Sequence, residues 1–125
     1  MLISGPSGSG KSSLALHLMA FGAALISDDR VHIDVGTDEL VLRPPKKMRG
    51  VIEARGVGLL AADHVDHAPC ALVVDLATPT AQRLPECITT TFQAVKIPYL
   101  SAKGLYHPAP AILQFLKSGF AEVDL

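Results

Sequence analysis

Apolar positions along the chain fall into short runs and alternations, with two stretches of helical spacing. Leu2 to Ser4 is a brief apolar lead-in to the run Gly5-Pro6-Ser7-Gly8-Ser9-Gly10. From Lys11 to Phe21 helix formers dominate, with Leu14, Leu18 and Phe21 on one face, and Gly22 is the expected stop. Ala23 to Ser27 reads as a buried strand running into Asp28-Asp29. Val31, Ile33 and Val35 alternate with polar residues, Gly36-Thr37-Asp38 turns, and Leu40 and Leu42 alternate again, which is a hairpin pattern. Pro44-Pro45 breaks it before a short basic loop of Lys46, Lys47 and Arg49. Val51 to Glu53 is extended and ends at Arg55-Gly56-Val57-Gly58. Ala71 to Leu76 is an apolar strand ending in Asp75, and a loop marked by Pro79 and Pro85 leads to strands at Ile88 to Phe92 and Val95 to Leu100. Pro110 to Lys117 forms a last helix, with Pro110 in its first turn and Gly119 beyond its end. Strands outnumber helices, and hairpins stand beside one strand–loop–helix unit. The pattern predicts an α/β fold with a mixed sheet, hairpins and few helices.

Length and composition narrow the classes. The 125 residues fit one compact domain, residues 1–125. With 49% apolar and 18% charged residues, there is ample material for a core, which excludes intrinsic disorder. Eleven Lys and Arg against twelve Asp and Glu leave a net charge of -1, so no overall field draws the chain onto nucleic acid or an anionic membrane. Apolar runs fall far short of the roughly 20 residues that span a bilayer. No basic start and apolar core of a secretory signal is visible, and the expected location is cytoplasmic. Cys70 and Cys87 have no ligand-like spacing and read as two small buried hydrophobes in a reducing compartment.

Gly5-Pro6-Ser7-Gly8-Ser9-Gly10-Lys11-Ser12 fits the G-x-x-x-x-G-K-[ST] pattern, after an apolar strand and before an amphipathic helix. The glycines let backbone N–H groups converge on an anion, and the helix N-terminus adds its positive end. Lys11 reaches the β and γ phosphates, and the Ser12 hydroxyl is placed to ligate Mg²⁺. A serine-glycine turn with no ligand is the plainer alternative. A chance match in a chain of this size arises about half a percent of the time, which favours a nucleoside triphosphate site.

Phosphoryl transfer also needs a carboxylate at the end of a neighbouring strand. Asp28-Asp29 offers a pair after Ala24-Leu25-Ile26-Ser27, and Leu72-Val73-Val74-Asp75 offers one. Spacing alone does not separate them. The pair is chemically richer, because adjacent like charges push one carboxyl toward a usable proton acceptor or donor. Glu53 is a carboxylate on an otherwise apolar stretch, costly to bury without a cation.

The phosphate loop, Asp28-Asp29-Arg30-Val31 and Glu53-Ala54-Arg55-Gly56-Val57-Gly58 together resemble the bacterial HPr kinase/phosphorylase family, in their order as well as their residues. The likeness covers about residues 2 to 85 and is nearest the short, catalytic-domain-only forms of alphaproteobacteria. It implies a phosphate-loop fold similar to phosphoenolpyruvate carboxykinase. It further implies an ATP- and Mg²⁺-dependent protein serine kinase acting on HPr, a small phosphocarrier, with phosphorolysis of phosphoserine at the same site. Carried across, Asp29 is the proton acceptor for the serine hydroxyl and the donor in reverse. Asp28 tunes Asp29 and helps hold the metal–phosphate assembly. Lys11 stabilises the transferred charge, Ser12 and Glu53 hold Mg²⁺, and Arg83 matches a later catalytic arginine. Family members commonly form hexamers.

Three features depart from the family pattern. A functional histidine about twenty residues before the lysine has no counterpart, and the strand entering the loop is expected at a sheet edge. Ser13 stands where many members carry an acidic residue, and the glycine-arginine-asparagine region of the long forms is not recognisable in Ser101 to Leu125. Two other functions fit the same loop: a small-molecule phosphate-loop kinase, disfavoured by the absence of a helical lid in the sequence pattern, and a non-catalytic ATP-sensing domain. His64 and His67 have an HxxH spacing but read as solvated loop residues.

Overall fold

The computed structural model describes residues 1–80 and 82–123. Its strands are β1 (Leu2–Ser4), β2 (His32–Val35), β3 (Leu40–Arg43), β4 (Val51–Ala54), β5 (Gly58–Ala61), β6 (Ala68–Pro69), β7 (Val73–Pro79), β8 (Ile88–Phe92) and β9 (Val95–Lys103). The helices are α1 (Lys11–Ala20) and α2 (Ala109–Ser118). A four-stranded sheet runs in the order β1-β7-β9-β8. β1, β7 and β9 are parallel and β8 is antiparallel, so the sheet is mixed and β1 lies at its edge.

Each face of this sheet carries its own core. On one face, Leu72, Val74 and Leu76 pack with Leu14 and Leu18 of α1 and with Ala109 and Ile112 of α2. On the other, Val73, Val95 and Ile97 meet Leu40 and Leu42 of the sheet β2-β3-β6. The start of β7 is therefore buried on both sides, Val73 facing one core and Val74 the other, which is why the segment Ala71 to Val74 leading into it is apolar. Each large side chain fully withdrawn here contributes about 1.5–3 kcal/mol. Gly36 N–H donates to the Glu39 carbonyl (2.8 Å) to close the β2–β3 hairpin, and the Asp34 carboxylate accepts from the Arg43 guanidinium across it.

Several expectations need correction. Ala23 to Ser27 is not a strand: only Leu25 pairs, by one parallel bridge to His64. Leu25 N–H donates to the Asp63 carbonyl and Val65 N–H to the Leu25 carbonyl (both 2.9 Å), and its buried side chain gave the apolar signal. α1 ends before Phe21, whose ring is 59% exposed and stacks on His17. Cys70 is buried but Cys87 is exposed. β5 and β6 have no counterpart in the hydrophobic pattern. β5 is exposed at every position, and its partner register comes from β4.

Candidate active site

The phosphate loop takes its shape from backbone conformations that glycine permits. Gly8 and Gly10 have φ of 81° and 97°, and a Cβ at either would meet nothing within 4 Å. At Gly5 a Cβ would fall 2.6 Å from Ser9 Oγ. Ser9 N–H donates to the Pro6 carbonyl (3.1 Å), and Lys11 Nζ donates to the carbonyls of Gly5 (2.7 Å) and Pro6 (3.2 Å). Helix α1 begins at Lys11 with no side-chain cap and no acidic residue in its first turn, so its leading N–H groups are left for an anion.

The acidic pair meets this loop through Ser12. Ser12 Oγ donates to Asp28 Oδ1 (2.8 Å), and the other carboxylate oxygen accepts from Glu53 N–H (2.9 Å). Arg30 N–H donates to the Asp28 carbonyl (2.7 Å), tightening the turn, and Asp29 adopts a left-handed φ of 67°. A left-handed residue with a side chain is uncommon, although Asp tolerates it better than most. Its neighbours are fixed at both ends: Ile26 and Val31 pack against the Leu40 and Leu42 core. A cavity of about 250 Å³ has Lys11, Asp28 and Asp29 in its wall.

Two expected residues stand differently. Glu53 is exposed on β4 rather than buried, and the structure uses its main-chain N–H on Asp28, not its carboxylate. Arg83 is exposed in the loop after β7, and among the described residues it makes no hydrogen bond or ion pair with the loop or the acidic pair. His64 Nδ1 lies 3.3 Å from the Ala62 carbonyl oxygen. Among the described residues no group of three or more His, Cys, Asp or Glu stands together as metal ligands.

Asp75, the other acidic candidate, is engaged within the sheet. Its carboxylate accepts from the Tyr99 hydroxyl and from Ala77 N–H (2.7 Å). The Tyr99 hydroxyl first, and the Ala77 amide second, hold its carboxyl below the ordinary carboxylate value. Nothing in the sequence pattern pairs Tyr99 with Asp75. They meet because β7 and β9 are parallel neighbours, with Val73 opposite Tyr99 and Asp75 opposite Ser101.

The residues present suit a triphosphate and its metal. Ser9 Oγ is buried with no hydrogen-bond partner, an orphaned polar atom beside the amides of the loop. The Ser12 hydroxyl and Asp28 carboxylate are hard oxygen donors, and Mg²⁺ at such sites is held by one or two protein groups together with substrate phosphates.

Comparison with known proteins bears on the fold and the family. The chain is similar in structure to the Hpr(Ser) kinase/phosphatase from Coxiella burnetii, with a TM-score of 0.75 and 22% identity, covering 92% of this chain and 83% of that one. At that identity the likeness speaks for the fold. The family description "HPr Serine kinase C-terminal domain" matches residues 1–91, most of the chain. This protein therefore belongs to the HPr serine kinase C-terminal domain family.

Proposed function

We propose that the protein transfers the γ-phosphoryl group of ATP to a serine of an HPr-type phosphocarrier. The observation that carries this reading is the hydrogen bond from Ser12 to Asp28, which ties the acidic pair to the first turn of the phosphate-loop helix. Membership of the HPr serine kinase family supports an HPr-type carrier as the substrate class.

Chemically, the serine hydroxyl must lose a proton as its oxygen bonds to phosphorus and the bond to ADP breaks. Asp29, its neighbour Asp28 held by two donors, accepts that proton at its carboxylate. Lys11 places a positive charge where phosphate charge accumulates, and the loop amides add fixed dipoles. Bound Mg²⁺ supplies neutralisation of the phosphates, with Ser12, Asp28 and Glu53 as the residues to hold it. Arg83 is the proposed second cation from the β7–β8 loop. In the reverse direction Asp29 returns its proton to the serine oxygen as inorganic phosphate takes the phosphoryl group, giving pyrophosphate. Assembly into a homo-oligomer and a cytoplasmic location belong to the same reading.

Incubating the protein with ATP, Mg²⁺ and HPr tests it. Phosphoserine on HPr, lost in Asp29→Asn, is the expected result. Tight ATP binding with no phosphoserine, beside an active control kinase, would replace this reading with the non-catalytic ATP-sensing one.

A further inference from the structure

The phosphate loop has a second acidic flank that the proposed chemistry leaves unused. Ser4, the residue before Gly5, pairs in parallel register with Asp75, and Asp75 pairs with Ser101. In a parallel sheet such partners project on the same face, so Ser4, Asp75 and Ser101 form a polar row at the carboxyl ends of β1, β7 and β9. Ligands of open α/β sheets gather at those ends.

That face is also the face of the acidic pair. Leu2, two residues before Ser4, packs with Tyr99, Ile26 and Val31 around one core, and Ile26 and Val31 bracket Asp28-Asp29. Leu76 points the other way, into the helix core. Asp28 and Asp29 thus share a cavity wall with Lys11 and with Leu2 and Ile3 of β1, and Asp75 stands on the strand paired with β1. The Asp75 carboxylate is fixed by the Tyr99 hydroxyl on one oxygen and Ala77 N–H on the other, and two oxygens can accept about four hydrogen bonds. A core-facing position on β7 would be cheaper to fill with an apolar residue. Two donors instead keep a charge in one place.

We propose that Asp75, clamped by Tyr99, is a positioning residue for the divalent cation that accompanies ATP at the phosphate loop. Mg²⁺ keeps several waters in such sites, so a fixed carboxylate one strand away can orient it through a water without ligating it. In phosphate-loop NTPases generally, a strand-end aspartate next to the loop serves the metal. The inference rests on the reading of the loop as an MgATP site.

The test titrates Mg²⁺ and follows binding of a fluorescent ATP analogue to the full chain, with no phosphotransfer measured. Asp75→Asn is expected to raise the Mg²⁺ concentration for half-maximal binding about tenfold, while binding of the analogue in EDTA stays at the wild-type level. Tyr99→Phe keeps the carboxylate and loosens it, so it shifts the midpoint in the same direction by less, and it serves as the readout if Asp75→Asn does not fold. A purely structural clamp would lower the melting temperature of both variants and leave the Mg²⁺ midpoint at the wild-type value, which overturns the proposal. Wild-type protein that binds no analogue at any Mg²⁺ concentration overturns the MgATP reading and this inference together.

Discussion

The loop from Gly5 to Gly10 and the turn from Ser27 to Arg30 meet at Ser12, yet they are held by different means. The loop is shaped from within: its glycines take left-handed conformations that strain other residues, Ser9 N–H donates to the Pro6 carbonyl inside it, and Lys11 folds onto its carbonyls. The turn contains no glycine. Asp29 takes a left-handed φ there, the Asp28 carboxylate is pinned by a helix hydroxyl and a β4 amide, and Ile26 and Val31 anchor the ends in the core. A local motif can thus be read from consecutive residues. A site assembled from four distant segments cannot, and its strain is sustained by those segments.

The largest expected effect separates chemistry from shape within the turn. Asp29→Asn retains a residue tolerant of the left-handed region and should lower phosphotransfer by about 10²–10⁴-fold with ATP affinity unchanged. Asp29→Gly should match that loss and raise stability by up to about 1 kcal/mol in urea unfolding, because the backbone strain is relieved. Unchanged phosphotransfer in both variants would remove Asp29 from the mechanism.

Breaking the loop from within comes next. Gly5→Ala drives a Cβ against Ser9 Oγ and to 3.3 Å from Leu76 Cβ, at a φ of +153°. It should cost about 1–3 kcal/mol of stability and weaken ATP binding. Gly8→Ala meets no neighbour and should cost only about 1 kcal/mol, from its backbone angle alone. Equal costs would mean that crowding at Ser9 does not shape the loop.

Cutting the link between the two regions is milder. Ser12→Ala leaves Asp28 with one donor and should destabilise the fold by about 1–2 kcal/mol. Hydrogen exchange at the Glu53 amide should quicken as the turn loosens, while exchange in the interior of β7 holds its wild-type rate. Uniform quickening would show that the link serves global stability only.

The smallest effect tests the far flank of the site. Tyr99→Phe should lower the melting temperature by roughly 2–4 °C at pH 7. Because the folded-state Asp75 carboxyl lies below its ordinary value of 3.8, its contribution is complete above that pH and fades as pH falls through the lowered value. The gap between wild type and variant should therefore stay constant from neutral pH to mildly acid pH and close below 3.8. A gap that persists at lower pH would assign the stabilisation to packing of the ring.

Much of the architecture was readable in advance, element by element. The β2–β3 hairpin, β8, β9 and α2 follow from alternation, prolines and glycines, although β9 runs three residues past the expected Leu100 and β7 starts two after Ala71. Ala23 to Ser27 misled because burial and strand pairing leave the same apolar trace. Leu25 is buried and makes a single bridge, and among the described residues no strand continues that ladder. β5 leaves no strand signature because its exposed Gly-Leu-Leu-Ala lacks the alternation of a half-buried strand. Glu53 entered the site through its main chain, and main-chain hydrogen bonds carry no signature in side-chain identity.

What the chain alone determined is the phosphate loop, the twin aspartates and the mixed α/β character, since each depends on residues close in sequence. Only the tertiary structure decided that Asp28 is shared between Ser12 and Glu53, that Asp29 is left-handed, and that Tyr99 clamps Asp75. Those contacts join residues 16 to 25 positions apart. Their geometry depends on how strands and helices pack, a collective property of the whole core that no short stretch of sequence encodes.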